Sequence, residues 1–200
     1  MRLWHELFAA AYDAGLARAE QRGLGKARSS LLAGARGRVL ELGAGTGLNV
    51  QHYPEGADVT FTEPDPAMAK RLRRRGEVVV APAEALPFAD ASFDTVVATL
   101  VFCTVRDVRA ALRETGRVLA PGGRLLFLEH VRAEPGTRAA RWQKLLRRPW
   151  RALAGGCNCD RDFLAALAAE NYTVSGLRRE SWPFFPAIVR PVVIGAASLS

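Results

Sequence analysis

Cysteine is scarce in this sequence: Cys103, Cys157 and Cys159 are the only three, and no pair has C-x-x-C spacing. An odd number without that spacing indicates neither a disulfide framework nor a zinc site, so no metal ligand set is expected. Few thiols and no disulfide pattern point to a reducing, cytoplasmic setting. No leader is expected either. Met1 to Ala19 carries Arg2, Glu6, Asp13 and Arg18, which fits neither a signal peptide nor a membrane span. Lysine is rare too, and that bears on the charge. The 28 basic residues against 20 acidic ones give a net charge of +8 and a pI near 10.2, yet only Lys26, Lys70 and Lys144 are lysines. A surplus that is nearly all arginine, in a chain rich in alanine, reads as compositional habit rather than as a nucleic-acid surface. No nucleic-acid partner is expected. What the chain does have is enough apolar material for a full core. A hydrophobic content of 49% over 200 residues, without repeats, linkers or low-complexity tracts, fits one domain spanning 1–200.

The most informative stretch is Val39-Leu40-Glu41-Leu42-Gly43-Ala44-Gly45-Thr46-Gly47-Leu48-Asn49, an apolar strand running into three alternating glycines. Glu63, in Phe61-Thr62-Glu63-Pro64-Asp65, stands twenty positions past Gly43 at the end of a second apolar run. Glycines let the backbone turn sharply and let a ligand approach where a Cβ would stand. An acidic side chain at the tip of the neighbouring strand can accept hydrogen bonds from both ribose hydroxyls. Together they read as a nucleoside site. A dinucleotide fingerprint needs G-x-G-x-x-G. Here the spacing is G-x-G-x-G and position 48 is leucine, which disfavours a dehydrogenase.

Periodicity along the chain places the motifs. Trp4, Leu7, Phe8, Ala11, Tyr12 and Leu16 share one face of a helix over 3–20, broken by Gly23 and Gly25, with a second helix over 26–33. Strands follow at 38–42 and 58–62, with a helix between them starting near Thr46. Asp65 caps the next helix, with Pro66 at its first position and Gly76 after its last turn. Val78-Val79-Val80 marks a buried strand over 77–81. Strands at 93–100 and 124–131 flank a helix over 108–119. A helix is expected over 138–150, another over 161–169 capped by Asp160, then strands at 172–179 and 188–196. This alternation predicts an α/β fold with a doubly wound, seven-stranded, mainly parallel sheet. Ligands in such sheets bind at the carboxyl ends of the strands, where these motifs fall.

The glycine pattern, with Glu41 two residues before Gly43, resembles that of the class I S-adenosylmethionine-dependent methyltransferases. The resemblance implies S-adenosyl-L-methionine as cofactor. It also implies that Glu41, Gly43, Ala44, Gly45, Gly47, Asn49, Glu63 and Pro64 surround it. Ala83-Glu84-Ala85-Leu86-Pro87-Phe88, followed by Ser92-Phe93-Asp94, is similar to the family's adenine-side loop. Many members carry an aspartate just before that alanine. Pro82 stands there instead, leaving backbone near Ala83, or Glu84, as the implied adenine partners. Thr99 ends the strand that flanks the methionine moiety in the family. Arg117 to Gly123 is a structural turn. Thr99 to Val105, Glu129-His130-Val131, Trp142-Gln143, Pro149-Trp150, Gly156-Cys157-Asn158 and Val189-Arg190-Pro191 resemble the methyltransferase-like thiol S-methyltransferases of animal microsomes. That similarity runs from Tyr12 through Pro191, with a more distant likeness to quinone-biosynthesis methyltransferases. Met1 to Ala19 does not read as the branch's hydrophobic N-terminal anchor, so membrane attachment is not expected to carry over.

The implied reaction is methyl transfer to a small, partly apolar acceptor, with a thiol first and a quinone, phenol or amine as alternatives. A non-catalytic S-adenosylmethionine-binding module is the reading outside enzymes. A large apolar pocket facing the cofactor would favour the enzyme. Glu129 and His130 are candidates either to deprotonate the acceptor or to fix a loop. Cys103 lines the pocket or is simply a buried small side chain. Residues 1–34 would form a helical lid and 135–160 an insertion on the acceptor side. The basic, aromatic Arg138–Arg151 segment suits a lid helix with snorkelling arginines, with peripheral membrane contact the alternative. A monomer or weak dimer is expected.

Overall fold

The computed structural model describes residues 2–199, except for the side chains of 2–5 and 8. The expected inward packing of Trp4 and Phe8 therefore lies outside the described residues. The first helix, α1 (Arg2–Ala19), runs through a π-helical turn over Glu20–Leu24 into α2 (Gly25–Leu32). Gly23 breaks the helical path there with a φ of 145°. Next come β1 (Arg38–Leu42), β2 (Asp58–Thr62), α3 (Pro66–Leu72), β3 (Val78–Val79) and β4 (Phe93–Thr99). The chain continues with α4 (Val108–Val118), β5 (Leu119–His130), α5 (Arg138–Leu153), α6 (Phe163–Ala169), β6 (Tyr172–Ser181) and β7 (Pro191–Leu199).

The seven strands form one sheet in the order β3-β2-β1-β4-β5-β7-β6. Strands β1 to β5 pair in parallel, and β7 lies antiparallel between β5 and β6. The order reverses between β1 and β4, which opens the crevice where such sheets bind ligands. Alternation along the strands sends side chains to two faces. Leu40, Leu42, Val96, Ala98, Leu125 and Phe127 pack with Leu112 of α4 and Phe163 and Leu167 of α6. Val39, Val97, Leu126 and Leu128 pack on the other face with Leu31 and Leu32 of α2 and with Trp182, Phe185 and Ile188. Among the described residues, no helix is long and apolar enough to cross a membrane.

Three local expectations are corrected. No α-helix starts at Thr46. Residues 45–49 are turns and only Val50–His52 forms a 3-10 helix, because Gly45 and Gly47 hold positive φ of 60° and 88°, outside the helical region. The third strand shortens to two residues, with Val80 exposed and Pro82, which lacks a donor, close behind. The cap of α6 is Asp162, whose side chain accepts from Ala165 N; Asp160 pairs with Arg147 instead. Asp65, with Pro66 behind it, does cap α3, accepting from Ala67 N and Met68 N.

Candidate active site

The glycine turn leaves β1 beside the end of β4. Gly43 has a φ of 52°, and a Cβ there would stand 3.0 Å from Val101 Cγ1, so glycine is needed for the two loops to meet. Ala44 N donates to Thr62 O, which ties the turn to the tip of β2. Gly47 is structural: a Cβ would lie 2.8 Å from Leu72 of α3, and its carbonyl accepts from Arg75. Glu63 is buried at that tip, accepting from Gly45 N and Asp65 N at 2.8 Å each. A carboxylate has about four acceptor positions, so room for two hydroxyl donors remains. Burial raises its pKa, and the two backbone bonds oppose that. Pro64 follows it, exposed.

Glu41, Asn49 and Thr99 meet in one buried network that the chain places at the ends of β1 and β4. Asn49 Nδ2 donates to Glu41 Oε1 at 3.0 Å and to Thr99 Oγ1 at 2.9 Å, and Tyr53 OH donates to Glu41 Oε2 at 2.7 Å. Arg28 of α2 completes it, and the sequence reading did not single it out. Its Nη1 donates to Asn49 Oδ1 and Thr99 Oγ1 at 2.7 Å, and its Nε to Glu20 at 3.0 Å. On the adenine side, Ala83 is buried, whereas Glu84 Oε1 accepts from Arg106 N and Asp107 N and so holds the turn before α4. Thr46 donates to Asp13 of α1, which binds the N-terminal helix to the glycine turn.

On the other side of β4 the chain turns sharply at Leu100, whose φ of 61° is uncommon for a non-glycine residue. Glu129 holds that turn. Its Oε1 accepts from Val101 N at 2.7 Å and Phe102 N at 2.9 Å, and its Oε2 from Cys103 N at 3.4 Å. Full burial lifts its pKa to about 7 against those bonds. The neighbouring His130 Nε2 lies 3.0 Å from Cys157 Sγ, and the Trp150 indole donates to the same sulfur at 2.9 Å. Hydrogen bonding from Cys103 foremost, then from His130 and Trp150, pulls the Cys157 thiol down, while Cys103 is pushed up. His130 Nδ1 is buried with no hydrogen-bond partner among the described residues. Cys103, His130 and Cys157 are thus brought together, while Cys159 Sγ points toward Gln143 O, 3.8 Å away. Gln143, another residue not anticipated as an anchor, is fully buried and bonds Ala133 N, Val131 O and Ile188 O, pinning α5 to the end of β5.

Leu100, Cys103, His130, Trp150 and Cys157 line a cavity of about 300 Å³. Its walls come from Ala11 to Leu16 of α1, from Leu100 to Thr104, from α5 and the following turn, and from Phe185 and Val189. No carboxylate, lysine or arginine lines it among the described residues. A concave pocket with apolar walls and few polar groups is the usual shape of a small-molecule site.

A family profile described as a methyltransferase domain matches residues 40–127, from β1 through β5. The chain is 38% identical over 178 residues to the thiol S-methyltransferase TMT1B of Homo sapiens, covering 83% of this chain and 73% of that protein. The chain belongs to the thiol S-methyltransferase family. It is an S-adenosylmethionine-dependent methyltransferase. A demethylmenaquinone methyltransferase of Thermus thermophilus is 40% identical, but over 46% of each chain. In fold, the methyltransferase matches a solved S-adenosylmethionine-dependent methyltransferase of Thermotoga maritima with a TM-score of 0.72, at 20% identity over the whole of both chains.

Glu41 gives a test of the buried network. Burial raises its pKa from 4.5 to about 7, opposed by the Tyr53 and Asn49 bonds and by Arg28, with Glu63 adding to the rise. A folded-state pKa above the unfolded one means the native state holds the proton more tightly. The contribution of Glu41 to stability is then fully present below pH 4.5 and is lost as pH rises through about 7. Glu41→Gln keeps an acceptor for Asn49 and removes the titration. The variant should gain on wild type by up to about 3 kcal/mol between those pH values. Urea unfolding of both proteins across the range reads the difference, and parallel profiles would refute it.

Proposed function

We propose that this methyltransferase moves the methyl group of S-adenosylmethionine to the sulfur of a small, partly apolar thiol. The observation that carries this reading is the acceptor cavity itself, whose polar wall groups are Tyr12, Thr104, Trp150, His130 and two cysteines, without a carboxylate. An alcohol needs a dedicated base, whereas a thiol with a pKa near 8.5 supplies some thiolate at neutral pH. Glu129 is spent on three backbone amides and acts as a positioning residue for the Leu100–Cys103 turn. His130 also lines the cavity, with its Nε2 against Cys157 Sγ, and a thiol acceptor needs no strong base beside it. The relatives named thiol S-methyltransferases support the same acceptor.

On the cofactor side, the residues fit. Beside the glycine turn, Glu63 keeps acceptor positions for two ribose hydroxyls. Arg28 has Nη2 to offer the methionine carboxylate, held in place by Glu20, Asn49 and Thr99. Backbone near Ala83 would receive the adenine. Bound S-adenosylmethionine supplies an already activated methyl group, so the protein's task is to hold a sulfur about 3 Å from the methyl carbon and keep water out. Helix α1, within the 1–34 segment, and the 135–160 segment would close the cavity. Three free thiols suit a reducing, cytoplasmic setting.

The test is a matched panel of a lipophilic thiol, its hydroxyl analogue, a phenol, an amine and a quinone. The thiol should be methylated faster than its hydroxyl analogue by at least about tenfold, since the alcohol supplies almost no anion. Methylation of a phenol, amine or quinone with every thiol left untouched would overturn the acceptor and leave the methyltransferase assignment standing.

A further inference from the structure

Three side chains with soft donor atoms converge on the wall of the acceptor cavity from three separate parts of the chain. Cys103 follows the turn after β4, His130 ends β5, and Cys157 lies in the turn after α5. All three are buried, and their ligating atoms lie within 4.8 Å of one another. We propose that Cys103, His130 and Cys157 form a three-ligand zinc(II) site whose fourth position opens into the acceptor cavity.

The donor set and the distances suit that ion. Zinc binds Cys sulfur at about 2.3 Å and His nitrogen at about 2.0–2.1 Å in a tetrahedron. Those bond lengths put neighbouring ligand atoms about 3.5–3.8 Å apart. The 3.0 Å between His130 Nε2 and Cys157 Sγ has to open by only a fraction of an ångström, within reach of side-chain rotation. Two thiolates and an imidazole are a ligand set for zinc rather than for magnesium or calcium, which take oxygen. Three protein ligands beside an open cavity follow the pattern of a reactive zinc rather than a structural one.

The surroundings hold the ligands in place, as a metal site requires. Cys103 is fixed through its N–H by Glu129 and through its carbonyl by Asn158, whose N and Nδ2 donate at 2.8 and 3.2 Å. Arg161 donates to the preceding carbonyl, Phe102 O, at 2.9 Å. The Trp150 indole donates to Cys157 Sγ, an N–H to sulfur bond that favours a thiolate ligand. Cys159, two residues along, faces Gln143 and is left out. C-x-C spacing alone would have suggested the wrong pair.

The site would also deepen the thiol reading, on which this part rests. The acceptor's sulfur would take the fourth position, releasing its proton to solvent. The bound thiolate keeps a lone pair for the methyl carbon. As the new S–C bond forms, the sulfonium S–C bond breaks, and the neutral thioether, a poor zinc ligand, leaves.

Metal uptake is measured on the reduced 200-residue chain without any acceptor, so its outcome is independent of the acceptor assignment. Zinc(II) is added to metal-stripped protein against a chromophoric chelator, and bound metal is counted by mass spectrometry after gel filtration. One zinc per chain is expected, and cobalt(II) in its place should give thiolate-to-cobalt charge-transfer absorption and tetrahedral d–d bands. Cys103→Ser, Cys157→Ser and His130→Ala should each lose stoichiometric zinc while staying folded by circular dichroism. Cys159→Ser should keep it, and Trp150→Phe should weaken binding by about 10–100-fold. No retained zinc and no charge-transfer band in the reduced wild type would overturn the site, as would equal binding in the Cys159→Ser and Cys157→Ser proteins. Thiol methylation undiminished in zinc-free protein would remove the catalytic role alone.

Discussion

Glu129→Ala should lower the stability of this methyltransferase by about 3–9 kcal/mol, because it strips the acceptor from three buried backbone amides at about 1–3 kcal/mol each. Val101, Phe102 and Cys103 have Glu129 as the partner of their N–H groups, and the carboxylate is fully buried. With a typical domain stable by about 5–15 kcal/mol, that is a large share of the whole. Glu129→Gln keeps a carbonyl oxygen for the two short bonds to Val101 and Phe102. It should therefore recover much of the loss and retain methyl transfer. Urea unfolding of the three proteins orders them as wild type, Gln, then Ala. An Ala variant as stable as wild type, or a Gln variant that folds normally but loses all activity, would contradict the positioning role.

Glu63→Ala should weaken binding of S-adenosylmethionine and its demethylated product by about 100-fold. Two hydrogen bonds from ribose hydroxyls to a carboxylate, at about 1.5–3 kcal/mol each, set the lower bound near 3 kcal/mol. Gly45 N and Asp65 N lose their acceptor in the same variant, so the glycine turn loosens as well. Calorimetric titration with the demethylated product measures the affinity, and thermal unfolding of the ligand-free variant separates lost contact from lost fold. If the variant folds and binds as tightly as wild type, the ribose is held elsewhere and the site assignment fails.

The two residues show different degrees of legibility. Glu63 is readable because its role depends on local pattern: an apolar run, an acidic residue at its end, and a glycine turn a fixed distance upstream. Glu129 is half readable. Its position at the end of a strand over the pocket follows from the alternation of strands and helices. What its carboxylate bonds to depends on the turn at Leu100, which the strand-4 segment does not announce.

The sequence by itself determined the sheet's seven strands, the nucleoside motif and the methyltransferase family, because each is written in near-neighbour spacing: period-two and helical alternation, G-x-G-x-G, and caps such as Asp65-Pro66. The helix at Thr46 failed for a local reason too, since glycines in the left-handed region cannot continue a helix. Tertiary structure alone decided which distant side chains meet. Arg28 joins Asn49 and Thr99 across 21 and 71 positions, Gln143 reaches Val131 and Ile188, and Cys157 pairs with Cys103 and His130 rather than with its near neighbour Cys159. Contacts of this kind are set by how helices dock on a finished sheet. Burial then removes the competing water, so a polar group takes whichever partner the packing brings within reach.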